Sequence, residues 1–107
     1  MMTLKQILDQ KSAFEKRSFR EDATPNEMAA ADAIREVAYT ANQLTHRMRG
    51  LAERMTDCAT WVDDGGYSIN SLGEVQGRGS EIDMLCVKLN AQMSIAALLM
   101  DLAGSAG

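Results

Sequence analysis

Residues 24–63 read TPNEMAAADAIREVAYTANQLTHRMRGLAERMTDCATWVD, and this stretch decides the fold. It opens on Thr24, Pro25 and Glu27. The Thr hydroxyl suits an N-cap, and Pro at the first helical position gives up an N–H that would have no partner there. Glu three residues after the cap closes a capping box. Ile34, Ala41, Met48, Met55 and Val62 then recur every seven residues, and Val37, Leu44, Leu51 and Cys58 follow three residues behind them. That 3-4 alternation lays one apolar seam along a helix. Ala38, Ala52 and Ala59 widen the seam towards bundle packing. Arg35, Glu36, Asn42, Gln43, Arg49, Glu53 and Asp57 fall on the outer face, and Gly50 among them marks a slight bend. Asp63-Asp64-Gly65-Gly66 is a stop and a turn. The stretch predicts a helix over 25–63, a rod of roughly 55 to 60 Å at ~1.5 Å per residue.

Working outward, Thr3 and Gln6 form a second capping box, and Leu4, Ile7, Leu8 and Phe14 share one stripe behind it. A first helix is expected from about Leu4 to Arg20. After the turn, Leu72, Val75, Gly79, Ile82, Cys86, Leu89, Met93, Ala96, Met100 and Ala103 keep the 3-4 phase without a break. The phase runs through Gly73, Gly77 and Gly79 and predicts one helix over about 69–102. The rival reading is a glycine break and a new helix capped by Ser80. In a continuous helix, those glycines are either weak points or places where another helix comes close.

Two long helices joined by a short turn pack antiparallel. A turn centred near residue 66 places position 86 opposite about 46, and 58 opposite about 74. Cys58 and Cys86 are then about 18 Å apart at ~1.5 Å per residue, beyond disulfide reach. Both cysteines lie on apolar seams, which reads as a core role. Ile95, Leu98, Leu99 and Leu102 fall off the last seam, so that end of the helix is apolar almost all round. Such a helix needs cover on every side. The sequence therefore predicts an all-α single domain over 1–107, a short N-terminal helix plus a long coiled-coil-like antiparallel hairpin. It is expected to dimerise two-fold into a bundle, with Ile95, Leu98, Leu99 and Leu102 at the dimer interface.

Composition narrows the function classes. The chain has 107 residues with 11 Lys+Arg against 15 Asp+Glu, a net charge of −4. That speaks against general nucleic-acid binding, which needs Lys and Arg on phosphates. The start carries charges and no signal-peptide core. The apolar run from Met93 to Ala103 is shorter than the ~20 residues that cross a bilayer. A cytoplasmic protein without membrane contact is expected.

No chemistry-bearing constellation emerges, and no catalytic, metal or cofactor site is expected. His46 is the single histidine, without a second ligand at metal spacing. Gly73 to Gly79 lacks the Lys-Ser/Thr of a phosphate loop. Asp57, Asp63 and Asp64 do not follow a calcium-loop pattern. Arg47 and Arg54 flank the seam where pairing with acids of a facing helix is usual, Glu81 and Asp83 being available. Met28, Met48, Met55, Met84, Met93 and Met100 read as core filling. Trp61 and Tyr67 suit either a hydrophobic cap on the bundle end or an anchor for a partner.

The expected function is a non-enzymatic protein–protein interaction module, a homodimer with an exposed helical face. Candidate partner-binding residues are Trp61, Tyr67, Asp57, Asp63, Asp64 and Glu36. An alternative, by analogy of size and charge only, is a small acidic phage-type inhibitor of the anti-CRISPR kind. Glu27, Asp32, Glu36, Asp57, Asp63 and Asp64 would then meet a basic groove on a host nucleic-acid machine. Further alternatives are a helical subunit of a larger assembly and an enzyme assembled across a dimer.

Overall fold

The computed structural model describes residues 2–63 and 69–105, and their side chains apart from those of 58–63, 69–72, 74 and 105. The described chain is all helical, with no strand: α1 (Leu4–Asp9), α2 (Lys11–Ser18), α3 (Pro25–Asp63) and α4 (Ile69–Ser105). A short bent N-terminal segment thus precedes two long helices. It divides into two compact units. Unit 1 comprises Met1–Ala41 with Lys88–Gly107, and unit 2 comprises Asn42–Val87.

The helix starts are set by capping. The Thr3 hydroxyl accepts from the Gln6 amide at 3.2 Å, and the Thr3 amide donates to Gln6 Oε1 at 2.8 Å. Thr24 and Glu27 repeat the exchange at 3.1 and 3.0 Å. The Thr24 backbone N–H, aided by its hydroxyl, holds the Glu27 carboxyl below the ordinary carboxylate range. The N-terminal helix is bent at Gln10 and ends at Ser18 rather than running straight to Arg20. At Gln10 the amide turns back to the Ile7 carbonyl at 3.1 Å, and a new helix begins there. It ends at Ser18, whose hydroxyl donates to the Glu15 carbonyl at 2.7 Å and competes with the backbone ladder. The glycines do not interrupt α4, which runs continuously through Gly73, Gly77 and Gly79.

The close-approach reading of those three glycines is wrong. A Cβ at any of them would meet nothing within 4 Å. The approach occurs at Gly50 instead, where an added Cβ would lie 3.1 Å from Arg78 Nη1. Gly50 therefore lies under a side chain of α4 rather than on a free outer face.

All buried side chains among the described residues belong to unit 1: Ile7 and Phe14 from α1 and α2, Ala30, Ala31, Ala33, Ile34, Val37 and Thr40 from α3, and Leu89, Ala96, Met100 and Ala103 from α4. Three chain segments meet there, so each helix can hide a face. Glu15 joins two of them, bonding Lys11 at 2.9 Å and Arg35 at 3.4 Å. The hydrogen bond from Lys11, then the nearby charges of Lys11 and Arg35, hold its carboxyl low against the opposing effect of desolvation.

Unit 2 has only two helix segments and no fully buried side chain among those described. Arg47 lies opposite Glu81, at 3.4 Å, and Gly50 lies opposite Arg78. Three residues forward on α3 match three back on α4, so the segments run antiparallel. This register places position 46 opposite about 82 rather than 86, about one helical turn from the expected one. Cys58 and Cys86 are then further apart than expected, roughly sixteen residues or 24 Å along the pair at ~1.5 Å per residue.

Two stability measurements check this account. Gly77→Ala should stabilise the protein by up to about 1 kcal/mol, since it adds helix propensity where nothing obstructs a Cβ; chemical denaturation reads the change. Thr24→Ala should cost about 1 kcal/mol through the lost cap. The Glu27 contribution is complete above the ordinary carboxylate pKa and is lost as pH falls through its depressed value. Glu27→Gln keeps an acceptor without the charge, so its stability should fall less on acidification than that of the wild type.

Candidate functional site

The dominant surface feature of unit 1 is a line of apolar side chains on α4. Ala91, Ile95, Leu98 and Leu102 are all exposed, with Ile95 at 54%, Leu98 at 59% and Leu102 at 44%. Their spacing of four, three and four places them on one helical face over about three turns. The opposite face carries Leu89, Ala96, Met100 and Ala103, all buried. The helix is therefore apolar on two sides and covered on one. Leu99 is half-buried at the margin. No charged residue occurs from Leu89 to Met100; Lys88 and Asp101 bracket the run.

Beside this stripe, α1, α2 and α4 frame an open groove of about 820 Å³, with Phe14, Ala97, Leu98 and Met100 as its apolar walls. Arg17 lies over the Phe14 ring, 4.8 Å from its centre, and keeps its charge at the rim. Leu98 belongs to both stripe and groove.

The expected partner-binding residues are scattered. Glu36 is exposed on α3 in unit 1, and Asp57 is exposed in unit 2, 3.6 Å from Arg54 of its own helix. Asp63 and Trp61 lie on α3 with side chains outside the described residues, and Asp64 and Tyr67 lie outside them altogether. Two further acids of the expected docking surface are already engaged. Glu27 caps its helix, and Asp32 accepts from Arg35 at 2.7 Å.

The core assignment fails at five residues. Cys86 is an exposed free thiol, not a core residue. Met28, Met48, Met55 and Met84 are 50%, 55%, 54% and 73% exposed, while Met93 is half-buried and Met100 buried. The seam positions Met48 and Met55 are uncovered because unit 2 pairs two segments without a third to close over them. Phe19, Tyr39 and Val87 are also exposed, at 81%, 64% and 71%, and the periodicity gave no signal for these. His46 is exposed, and Arg47 pairs with Glu81 across unit 2.

Among the described residues no three His, Cys, Asp or Glu side chains come together as a metal site would require. The stretch Val75–Gly104 of α4, with a mean hydropathy of 1.4 in its most apolar window, is long and apolar enough to cross a membrane by length and composition. The apolar stretch is thus longer than the run from Met93 to Ala103 suggested. It also contains Arg78, Glu81, Asp83, Lys88 and Asp101. Comparison of the chain with protein-family models, curated proteins and solved structures gives no match.

The exposure of Cys86 has a direct check. Iodoacetamide should alkylate Cys86 in the folded protein, and peptide mass spectrometry should find no Cys58–Cys86 bridge. A protected Cys86 thiol would contradict the surface described here.

Proposed function

We propose that the protein is a non-enzymatic, cytoplasmic interaction module that acts as a homodimer, with the exposed α4 stripe as its contact face. One observation carries this reading: Ile95, Leu98 and Leu102 stand exposed on one face of a helix whose other face is already packed. Contiguous exposed apolar surface on a small protein marks an interaction site. The charge-free run from Leu89 to Met100 favours a partner surface of the same kind, and a second copy presents one. A two-fold pairing of α4 faces makes the contact self-complementary and closed. Ala91 in the stripe lets backbones approach, while the two leucines and Ile95 supply most of the buried area. A standard interface takes about 800 Å² from each partner, so residues flanking the stripe must join it.

The acidic-inhibitor reading has less support, because Glu27 and Asp32 are already committed to bonds within α3 and its cap.

Light scattering coupled to size exclusion tests the proposal. The wild type should elute with twice the chain mass at micromolar concentration, and Leu98→Glu should elute as a monomer with unchanged helical circular dichroism. Because the contact is apolar, the dimer should persist between low and high salt. A wild type that is monomeric at all accessible concentrations, or a Leu98→Glu dimer, would overturn the assignment. Binding of the wild type to phospholipid vesicles, lost in Leu98→Glu, would transfer the same face to a bilayer.

A further inference from the structure

Unit 1 holds a second feature, independent of the apolar stripe. Arg35, Glu36, Tyr39 and Thr40 of α3 and Lys88 and Gln92 of α4 line a cleft of about 400 Å³. Two of its polar atoms stand out. Thr40 is 0% exposed, and its Oγ1 has no hydrogen-bond partner among the described residues. The buried Oε1 of Gln92 has none either. A mid-helix Thr commonly returns its hydroxyl to the carbonyl four residues back. Thr56 does this, donating to Ala52 at 3.0 Å, and Thr40 does not. Buried polar groups are nearly always satisfied, and leaving one unpaired is costly. Two such atoms in one cleft therefore point to a partner that the chain itself does not supply.

The surrounding charges define that partner. Arg35 is held by Glu15 and Asp32, whereas Glu36 and Lys88 form no ion pair among the described residues. Glu36 and Thr40 stand one turn apart on α3, and Lys88 and Gln92 one turn apart on α4. Beside Arg35 and Tyr39, which already have partners, the cleft offers the Lys88 ammonium and the Thr40 hydroxyl as donors and the Glu36 carboxylate and Gln92 Oε1 as acceptors. A simple anion would leave Gln92 Oε1 unpaired and would meet the Glu36 charge. A simple cation would meet Lys88 and Arg35. We infer that the cleft binds a small zwitterion of the free α-amino acid class, its carboxylate taken by Lys88 and Thr40 and its ammonium by Glu36 and Gln92. The volume lies within the usual range for small-molecule sites, about 300–1,000 Å³.

The test measures melting temperature and binding heat for the full chain with each common α-amino acid at millimolar concentration. Acetate and methylammonium serve as single-ended controls. At least one amino acid should raise the melting temperature, and neither control should. Thr40→Val should raise the melting temperature of the free protein by about 4 °C, since it removes a buried unpaired hydroxyl, and should abolish the amino-acid response. Lys88→Met should abolish the response while leaving the free protein's melting temperature unchanged. A lowered melting temperature in free Thr40→Val would show a hydroxyl already bonded and would overturn the inference. So would an equal response to acetate, or no response to any amino acid.

Discussion

The packing of Ile34 and Val37 in unit 1 is the contact on which the rest depends. Both side chains are wholly buried, one helical turn apart, in the same core as Ile7 and Phe14 from the N-terminal segment and Leu89, Ala96 and Met100 from α4. Ala30, Ala31 and Ala33 precede them on α3 and are also buried. Small side chains at these positions let neighbouring elements come near, and the larger ones then fill the remaining space. Because the N-terminal segment joins the core, unit 1 can bury more than a two-helix pair. Because that core takes only one face of α4, the opposite face is left to solvent.

The two surface features of unit 1 follow from the same division. Along α4, Leu89, Ala96, Met100 and Ala103 go inward, and Ala91, Ile95, Leu98 and Leu102 go outward. Between these faces stand Lys88 and Gln92, whose polar ends border the cleft with Glu36 and Thr40. One helix thus presents an apolar edge, which the proposed dimer would cover, and a polar edge, where the proposed zwitterion would bind. The two differ chemically, since the stripe is apolar and the cleft carries polar atoms without a partner among the described residues.

The large-scale fold was readable because its signals are local. Thr24, Pro25 and Glu27 act within one turn, and the start of α3 follows from them alone. The seam of α4 persisted through three glycines because a helix phase is set by the whole run rather than by single residues. The exposed Ile95, Leu98 and Leu102 were legible for the same reason. What could not be read was the pairing between segments. The register in unit 2 depends on Arg47 meeting Glu81 and on Arg78 crossing Gly50, contacts between residues far apart in sequence. The break at Gln10 arises from a backbone bond to Ile7 that no side chain announces. Met48 and Met55 kept their heptad places yet stand exposed, since a seam position is buried only where enough neighbours surround it. The cleft was invisible because Thr40 and Gln92 belong to no motif.

The lack of any fully buried side chain in unit 2, among those described, bears on how the molecule opens. Amide protection in a folded chain follows the cost of local opening, and that cost rises with buried apolar contact. The described residues of unit 2 lie within α3 and α4, and none of their described side chains is fully buried. Their amides can exchange through partial openings that leave the Ile34–Val37 core intact. The long helices therefore carry a gradient of protection along their own length, so that a continuous backbone spiral contains two tiers of persistence.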